Sequence, residues 1–115
     1  MGGQAAKFAT TTTSSTFVGH KAGLGIEGTP LTGNNNTAIG QQAGLLLQGT
    51  AASNTLVGAT AGDNITTGDS NIIIGSGIDA QSATADGQIN IGGIFQYDGT
   101  DITLDAAGTI ILDGS

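Results

Sequence analysis

Short apolar triplets closed by glycine return along the chain at nearly constant distance: Thr16-Phe17-Val18-Gly19, Thr37-Ala38-Ile39-Gly40, Thr55-Leu56-Val57-Gly58 and Ile72-Ile73-Ile74-Gly75. Ile89-Asn90-Ile91-Gly92 is a weaker fifth copy. The closing glycines advance by 21, 18, 17 and 17 residues, so the period tightens rather than wanders. A unit this short cannot bury its own apolar side chains and must stack on its neighbours to make a continuous core. The pattern predicts a solenoid of units 15–35, 36–53, 54–70 and 71–87, with a degenerate unit from residue 88.

Parity says more about each triplet. Successive side chains on a strand face opposite ways. Val18, Ile39, Val57, Ile74 and Ile91 therefore share one face, with Thr16, Thr37, Thr55, Ile72 and Ile89 beside them. The other face carries Phe17, Ala38, Leu56 and Ile73 and is also apolar. A wall apolar on both sides is covered on both sides. The β-branched file Val18, Ile39, Val57, Ile74 and Ile91 is expected to form the core of the roll. Phe17, Ala38, Leu56 and Ile73 are then expected to line the axis of a homo-oligomer. Burying each large apolar side chain contributes roughly 1.5–3 kcal/mol, enough to make association obligatory.

Between the triplets, Ala22-Gly23, Ala43-Gly44 and Ala61-Gly62 suit tight turns that admit only small side chains. Leu24 and Ile26, Leu45 and Leu47, and Ile65 then predict a second, outer strand in each unit. Gly33-Asn34, Gly49-Thr50, Gly68-Asp69 and Gly87-Gln88 supply the return turns. Residues 1–14 are polar and Thr-rich, which predicts an extended amino-terminal arm with Lys7 and Phe8 as its attachment residues. Beyond Gly93 the rhythm changes. Ile102-Thr103-Leu104-Asp105 and Ile110-Ile111-Leu112-Asp113, bracketing Ala106-Ala107-Gly108, predict a short β segment over 93–115. The expected fold class is all-β: a short-repeat parallel β-roll over 15–92 that assembles as a homo-oligomer, with a β extension at the carboxy terminus.

Composition agrees with repetitive β structure. Twenty-one glycines with three Phe, one Tyr and no Trp leave little to pack an ordinary core, and glycine and threonine are costly in helices. Only Lys7 and Lys21 are cationic against nine carboxylates, and the net charge is −7. All the acids except Glu27 lie at or after Asp63, so one half of the chain is nearly neutral and the other strongly acidic. Affinity for nucleic acid comes largely from cations replacing counterions on phosphate, so nucleic acid is not an expected partner. No stretch approaches the ~20 apolar residues that span a bilayer, so membrane insertion is not expected either. With no cysteine, disulfides and thiolate metal sites are excluded.

The cassettes, especially Asn35-Asn36-Thr37-Ala38-Ile39-Gly40-Gln41-Gln42-Ala43-Gly44, resemble the YadA-like head repeats of trimeric autotransporter adhesins and the related repeats of bacteriophage tail fibres and surface proteins. The resemblance covers about residues 15–92 and implies a trimeric, left-handed parallel β-roll. No translocating β-barrel or heptad stalk is present in the chain, so the expected setting is a virion part.

Candidate chemistry is sparse. Gly23-Leu24-Gly25-Ile26-Glu27-Gly28 formally matches the dinucleotide fingerprint, but Pro30 and Gly33 follow where a helix is needed, so a turn is expected and no cofactor. His20, the single histidine, is expected to be exposed near a turn. Asp98, Asp101, Asp105 and Asp113 match no calcium-loop pattern and read as solvated turns, so no metal site is assigned. Phe95 and Tyr97 share parity and offer at most a small sugar-contact patch. No nucleophile is paired with a base, and no catalytic residue is assigned. The expectation is a non-enzymatic bacteriophage structural protein on the virion surface, a trimeric tail fibre or host-recognition appendage. Its partners would be itself, other virion proteins and a host-surface receptor or glycan. The alternatives are a trimeric capsid decoration or cement protein, the head of an adhesin on the bacterial surface, and an ice-binding solenoid. The last is disfavoured by placing the cassette threonines inside.

Overall fold

The structure, a computed structural model, describes residues 2–105 and residue 114. It is all-β, with no helix among the described residues and one seven-stranded sheet wound as a β-solenoid of about 4 turns. The strands follow chain order: β1 (Thr16–Val18), β2 (Thr37–Ile39), β3 (Thr55–Val57), β4 (Ile72–Ile74), β5 (Ile89–Ile91), β6 (Phe95–Tyr97) and β7 (Ile102–Leu104). The first five are parallel and in strict cassette register, Thr16 over Thr37 over Thr55 over Ile72 over Ile89. The last two pairings are antiparallel. The expected segment Ile110-Ile111-Leu112-Asp113 lies outside the described residues.

Each coil is one three-residue strand followed by a long return limb. The outer strand expected around Leu24, Leu45 and Ile65 does not form. The limbs are joined instead by single bridges such as Ala9 to Leu31 and Leu31 to Gly49, and by stacked turns. Turns prevail there because the limb must bend around a narrow core, and the glycines that let it bend interrupt any ladder. At the strand exit, Gly40 and Gly58 have φ near +139° and +135°, and a Cβ on Gly40 would collide with the Gly58 carbonyl. Only glycine allows successive coils to approach so closely there.

The interior holds Ala38, Leu56 and Ile73 from the strands, and Leu31, Leu47, Ile65 and Ala80 from the limbs. Phe17 is half-buried against the same cluster. This reverses the expected sense of the two strand faces. Phe17, Ala38, Leu56 and Ile73 lie inside a single chain and cannot line an axis between chains; Ala38, Leu56 and Ile73 have no exposed area. Val18, Ile39, Ile74 and Ile91, expected as the roll core, point outward and are 40%, 41%, 37% and 42% exposed, with Val57 beside them half-exposed. The physical reason is that β-branching reports fitness for a pleated surface, not depth. The narrow interior takes whatever shape fits, from Ala38 to Leu56.

A polar column runs through this interior. Asn36, Asn54, Asn71 and Gln88, each immediately before a strand, are buried and stacked. The Asn36 Oδ1 accepts from the Asn54 backbone N–H at 3.1 Å and from Asn54 Nδ2 at 3.0 Å. The Asn54 Oδ1 accepts in the same way from Asn71 at 3.0 and 3.1 Å, and the Asn71 Oδ1 from Gln88 at 2.8 and 3.2 Å. Their remaining amide protons go to limb carbonyls: Asn36 to Ala51, Asn54 to Gly68 and Asn71 to Ala85. Ser15 begins the column, its Oγ accepting from the Asn36 N–H at 3.1 Å. A buried polar group is tolerated when its bonds are made, and none in this column is left open.

The amino-terminal segment is not an extended arm. Residues 2–14 follow the path of a return limb and stack on the first coil. Ala6 N–H donates to the Ala22 carbonyl, Phe8 N–H to Leu24, and Asn35 N–H to Thr13. Lys7 is exposed with its Nζ 4.9 Å from the centroid of the half-buried Phe8 ring, so neither residue is presented on a free arm.

Candidate functional site

The feature that stands out is the outward face of the sheet. In the parallel part it consists of two files, Thr16, Thr37, Thr55, Ile72, Ile89 and Val18, Ile39, Val57, Ile74, Ile91. Directly opposed residues of antiparallel strands share a face, and the register sets Tyr97 and then Ile102 against Ile89, Phe95 and then Leu104 against Ile91. Both files therefore continue unbroken across all seven strands. They contain threonine, aliphatic and aromatic residues and no charge. Six strand steps of about 4.8 Å give the strip a length of about 29 Å.

The opposite face behaves differently. It is apolar through Phe17, Ala38, Leu56 and Ile73, then turns polar at Asn90, Gln96 and Thr103. Asn90 ends the parallel winding: its Nδ2 donates to the Asp79 carbonyl at 2.8 Å and its Oδ1 accepts from the Gly93 N–H at 3.0 Å, holding the reversal into β6. No described limb covers the inward side of β7, and Thr103 there is exposed. Among the described residues, the inward file turns polar beyond Ile73 while the outward files stay uncharged. Side chains answering only to this chain's own core would show the reverse.

The other candidate residues are scattered. His20 is exposed after β1, close to Gly3. The segment from Gly23 to Gly28 forms turns, and no helix follows to supply the N-terminus that a dinucleotide site needs. Asp98 closes the β6–β7 hairpin by accepting from Thr100 N–H at 2.8 Å and Asp101 N–H at 2.9 Å, which holds its carboxyl below the usual range. Phe95 and Tyr97 belong to the outward strip. Among the described residues there is no group of three or more potential metal ligands and no enclosed pocket. The asparagine column escaped the sequence reading. Its signal was visible, since Asn36, Asn54, Asn71 and Gln88 advance by the same 18, 17 and 17 residues as the glycines.

Asp63 and Asp79 lie together on adjacent coils. Desolvation, then the charge of Asp79 and the hydrogen bond between the two carboxyls, push the Asp63 pKa above its ordinary 3.8. A carboxyl raised in the folded state contributes stability below its unfolded pKa, and that contribution is lost as pH rises through the folded value. Asp63→Asn is therefore expected to stabilise the protein relative to wild type at pH 7, with the advantage vanishing below about pH 4. Thermal unfolding of both proteins across pH 4–7 checks this; an advantage independent of pH would contradict it.

Compared with protein-family models, with curated proteins and with solved structures, the chain matches none.

Proposed function

We propose that this chain is a non-enzymatic structural protein that assembles as a homotrimer through the outward face of its sheet. It forms a projecting rod on the surface of a bacteriophage particle, as part of a tail fibre or host-recognition appendage. The observation that carries the reading is the uncharged strip that continues across all seven strands, past the point where the inward file turns from Ile73 to the polar Asn90, Gln96 and Thr103. A contiguous apolar face of this kind on a soluble domain marks an interaction surface. Covering what remains exposed of each Val or Ile contributes on the order of 1–2 kcal/mol. Summed along the strip, this is comparable with the roughly 4–15 kcal/mol that association costs. The resemblance of the cassettes to adhesin-head and phage-fibre repeats supports the stoichiometry and the setting. Once the strips are covered, the limbs face outward and present the same surface three times, which raises avidity for a host receptor or glycan.

A capsid-decorating trimer would bridge coat subunits through an extended amino-terminal arm, and the packing of residues 2–14 on the first coil favours the fibre over it. Ice binding gains two observations. The cassette threonines Thr16, Thr37 and Thr55 point outward rather than inside, and a limb file, Thr11, Thr32, Thr50, Thr67 and Thr84, is exposed in cassette register. The strand file passes into Ile72, Ile89 and Tyr97, which fits assembly better than a hydroxyl lattice.

Sedimentation equilibrium of the purified chain should give three times the 11.2 kDa chain mass, and antibody labelling of intact particles should mark projecting fibres. A folded monomer at micromolar concentration would sink the assembly. Labelling confined to the capsid shell would replace the fibre with decoration, and thermal hysteresis of a monomer would favour ice binding.

A further inference from the structure

Each of β1 to β4 is flanked by an exposed residue on both sides of the outward strip. Two positions before the strands stand Ser14, Asn35, Ser53 and Ser70; two positions after them stand His20, Gln41, Ala59 and Ser76. Neither file holds a carboxylate or a lysine, in a chain of net charge −7. The first file is also strained. Ser14, Asn35, Ser53 and Ser70 all lie in the left-handed region, with φ of +55°, +62°, +59° and +59°. Backbone bonds to the coil before hold them there, such as Ser53 N–H to the Asn34 carbonyl at 2.9 Å and Ser70 N–H to the Ala52 carbonyl at 2.9 Å. Glycine takes this conformation without steric cost, as Gly87 does at the same place in the next coil. Four coils keep a polar side chain there instead, and all four side chains are exposed. Strain that persists in this way marks side chains that are used.

We infer that these two files are the rim along which neighbouring copies of the chain meet, Asn35, Ser53 and Ser70 of one copy lying against Gln41, Ala59 and Ser76 of the next; this rests on the trimeric reading proposed above. The size of the faces leads to it. Facing sheets pack about 10 Å apart, so three faces around one axis each stand about 5 Å from it, and a triangle of that size has sides of about 17 Å. The two files of the strip are about 7 Å apart and fill only the middle of such a side. Residues 35 and 41 are six steps of about 3.3 Å apart, at most about 20 Å, which carries them to the corners. A threefold axis joins unlike surfaces, so at each corner the file before the strands of one copy meets the file after the strands of the next, and the ring closes at three. An apolar centre inside a polar rim is also the ordinary anatomy of a stable interface. At the corners the strained side chains gain partners across the contact, which accounts for their presence where glycine would be comfortable.

The chain has no cysteine, so disulfide crosslinking reports the contact without background. Asn35→Cys combined with Gln41→Cys should give covalently closed trimers on mild oxidation, while either substitution alone should leave single chains. A disulfide needs Cα atoms within about 7 Å, which excludes a bond inside one chain. Ser70→Cys with Ser76→Cys should behave in the same way two coils further along, and decides the matter should the first pair fail to fold. Ser53→Gly with Ser70→Gly gives a second readout. It removes two rim side chains and relieves their backbone strain, so it should weaken association about tenfold in sedimentation equilibrium without lowering the thermal midpoint of the dilute, dissociated chain. Single-cysteine variants that crosslink as well as the pairs, a three-chain assembly in which neither pair crosslinks, or a glycine variant that associates like wild type would overturn the contact and leave the trimer standing. A wild-type chain that stays a folded monomer would remove the trimer and the contact together.

Discussion

Asn54→Ala is expected to lower the unfolding free energy by about 3–5 kcal/mol, as much as truncating a large core side chain. The alanine leaves two buried groups without a partner, the Gly68 carbonyl and the Asn71 backbone N–H, which in the wild type meet Asn54 at 2.9 and 3.0 Å. Each orphaned group costs about 1–3 kcal/mol, and the lost side-chain volume adds to that. Asn36 Oδ1 and Asn71 Nδ2 keep other partners, so the damage stays at one level of the column. Asn54→Asp is the sharper variant. It keeps an acceptor for Asn71 but sets a buried negative charge against the Gly68 carbonyl and the Asn36 Oδ1, so at pH 7 it should be worse than alanine. Acidification should restore part of the loss, because the protonated acid can again donate. Urea titrations at pH 7 and about pH 4 measure both effects. An alanine variant within about 1 kcal/mol of wild type would show that the column is incidental.

The second large effect separates fold from assembly. Ile39→Asp combined with Ile74→Asp puts carboxylates on the outward strip, where an isolated chain can hydrate them but an assembled one must desolvate them without partners. The expected result is a folded chain with an unchanged far-ultraviolet spectrum that no longer associates, its apparent affinity for itself reduced by at least a thousandfold. The same charge at Leu56, which has no exposed area, should abolish the fold instead. Sedimentation with circular dichroism distinguishes the two. A double variant that keeps the wild-type oligomer would remove the outward face from the assembly.

Much of the architecture was legible because repetition is a property of spacing. The glycine advances of 21, 18, 17 and 17 residues identify the coils and their stacking order, and the register from Thr16 to Ile89 follows from aligning the triplets. The face-sharing groups were legible too, since strand parity depends on nothing beyond the chain. The reversal at Asn90 was less so. A single polar residue in an apolar file reads as a weak repeat, and its role becomes visible once its amide is seen holding Gly93 and Asp79. The limb of residues 2–14 was missed for a related reason. The bonds that dock it are largely backbone bonds to residues 16 or more positions away, such as Ala6 to Ala22, and they need no apolar side chain to advertise them.

Sequence alone therefore determines a repeating β fold, its period, and which side chains travel together on each face. It does not determine which face is inside. A period of two divides the triplet into two sets without giving either a direction, and both sets here are apolar. That choice falls to the closed coil. Asn36, Ala38 and Gly40 share one parity, and only with that parity inward do the amides stack into a bonded column while the limb residues Leu47 and Ile65 fill the remaining space. Turning Thr37 and Ile39 inward would expose the asparagine column to water and leave its bonds unmade. The interior is decided by which arrangement satisfies all its polar groups at once, and that condition exists only after the coils have closed on one another.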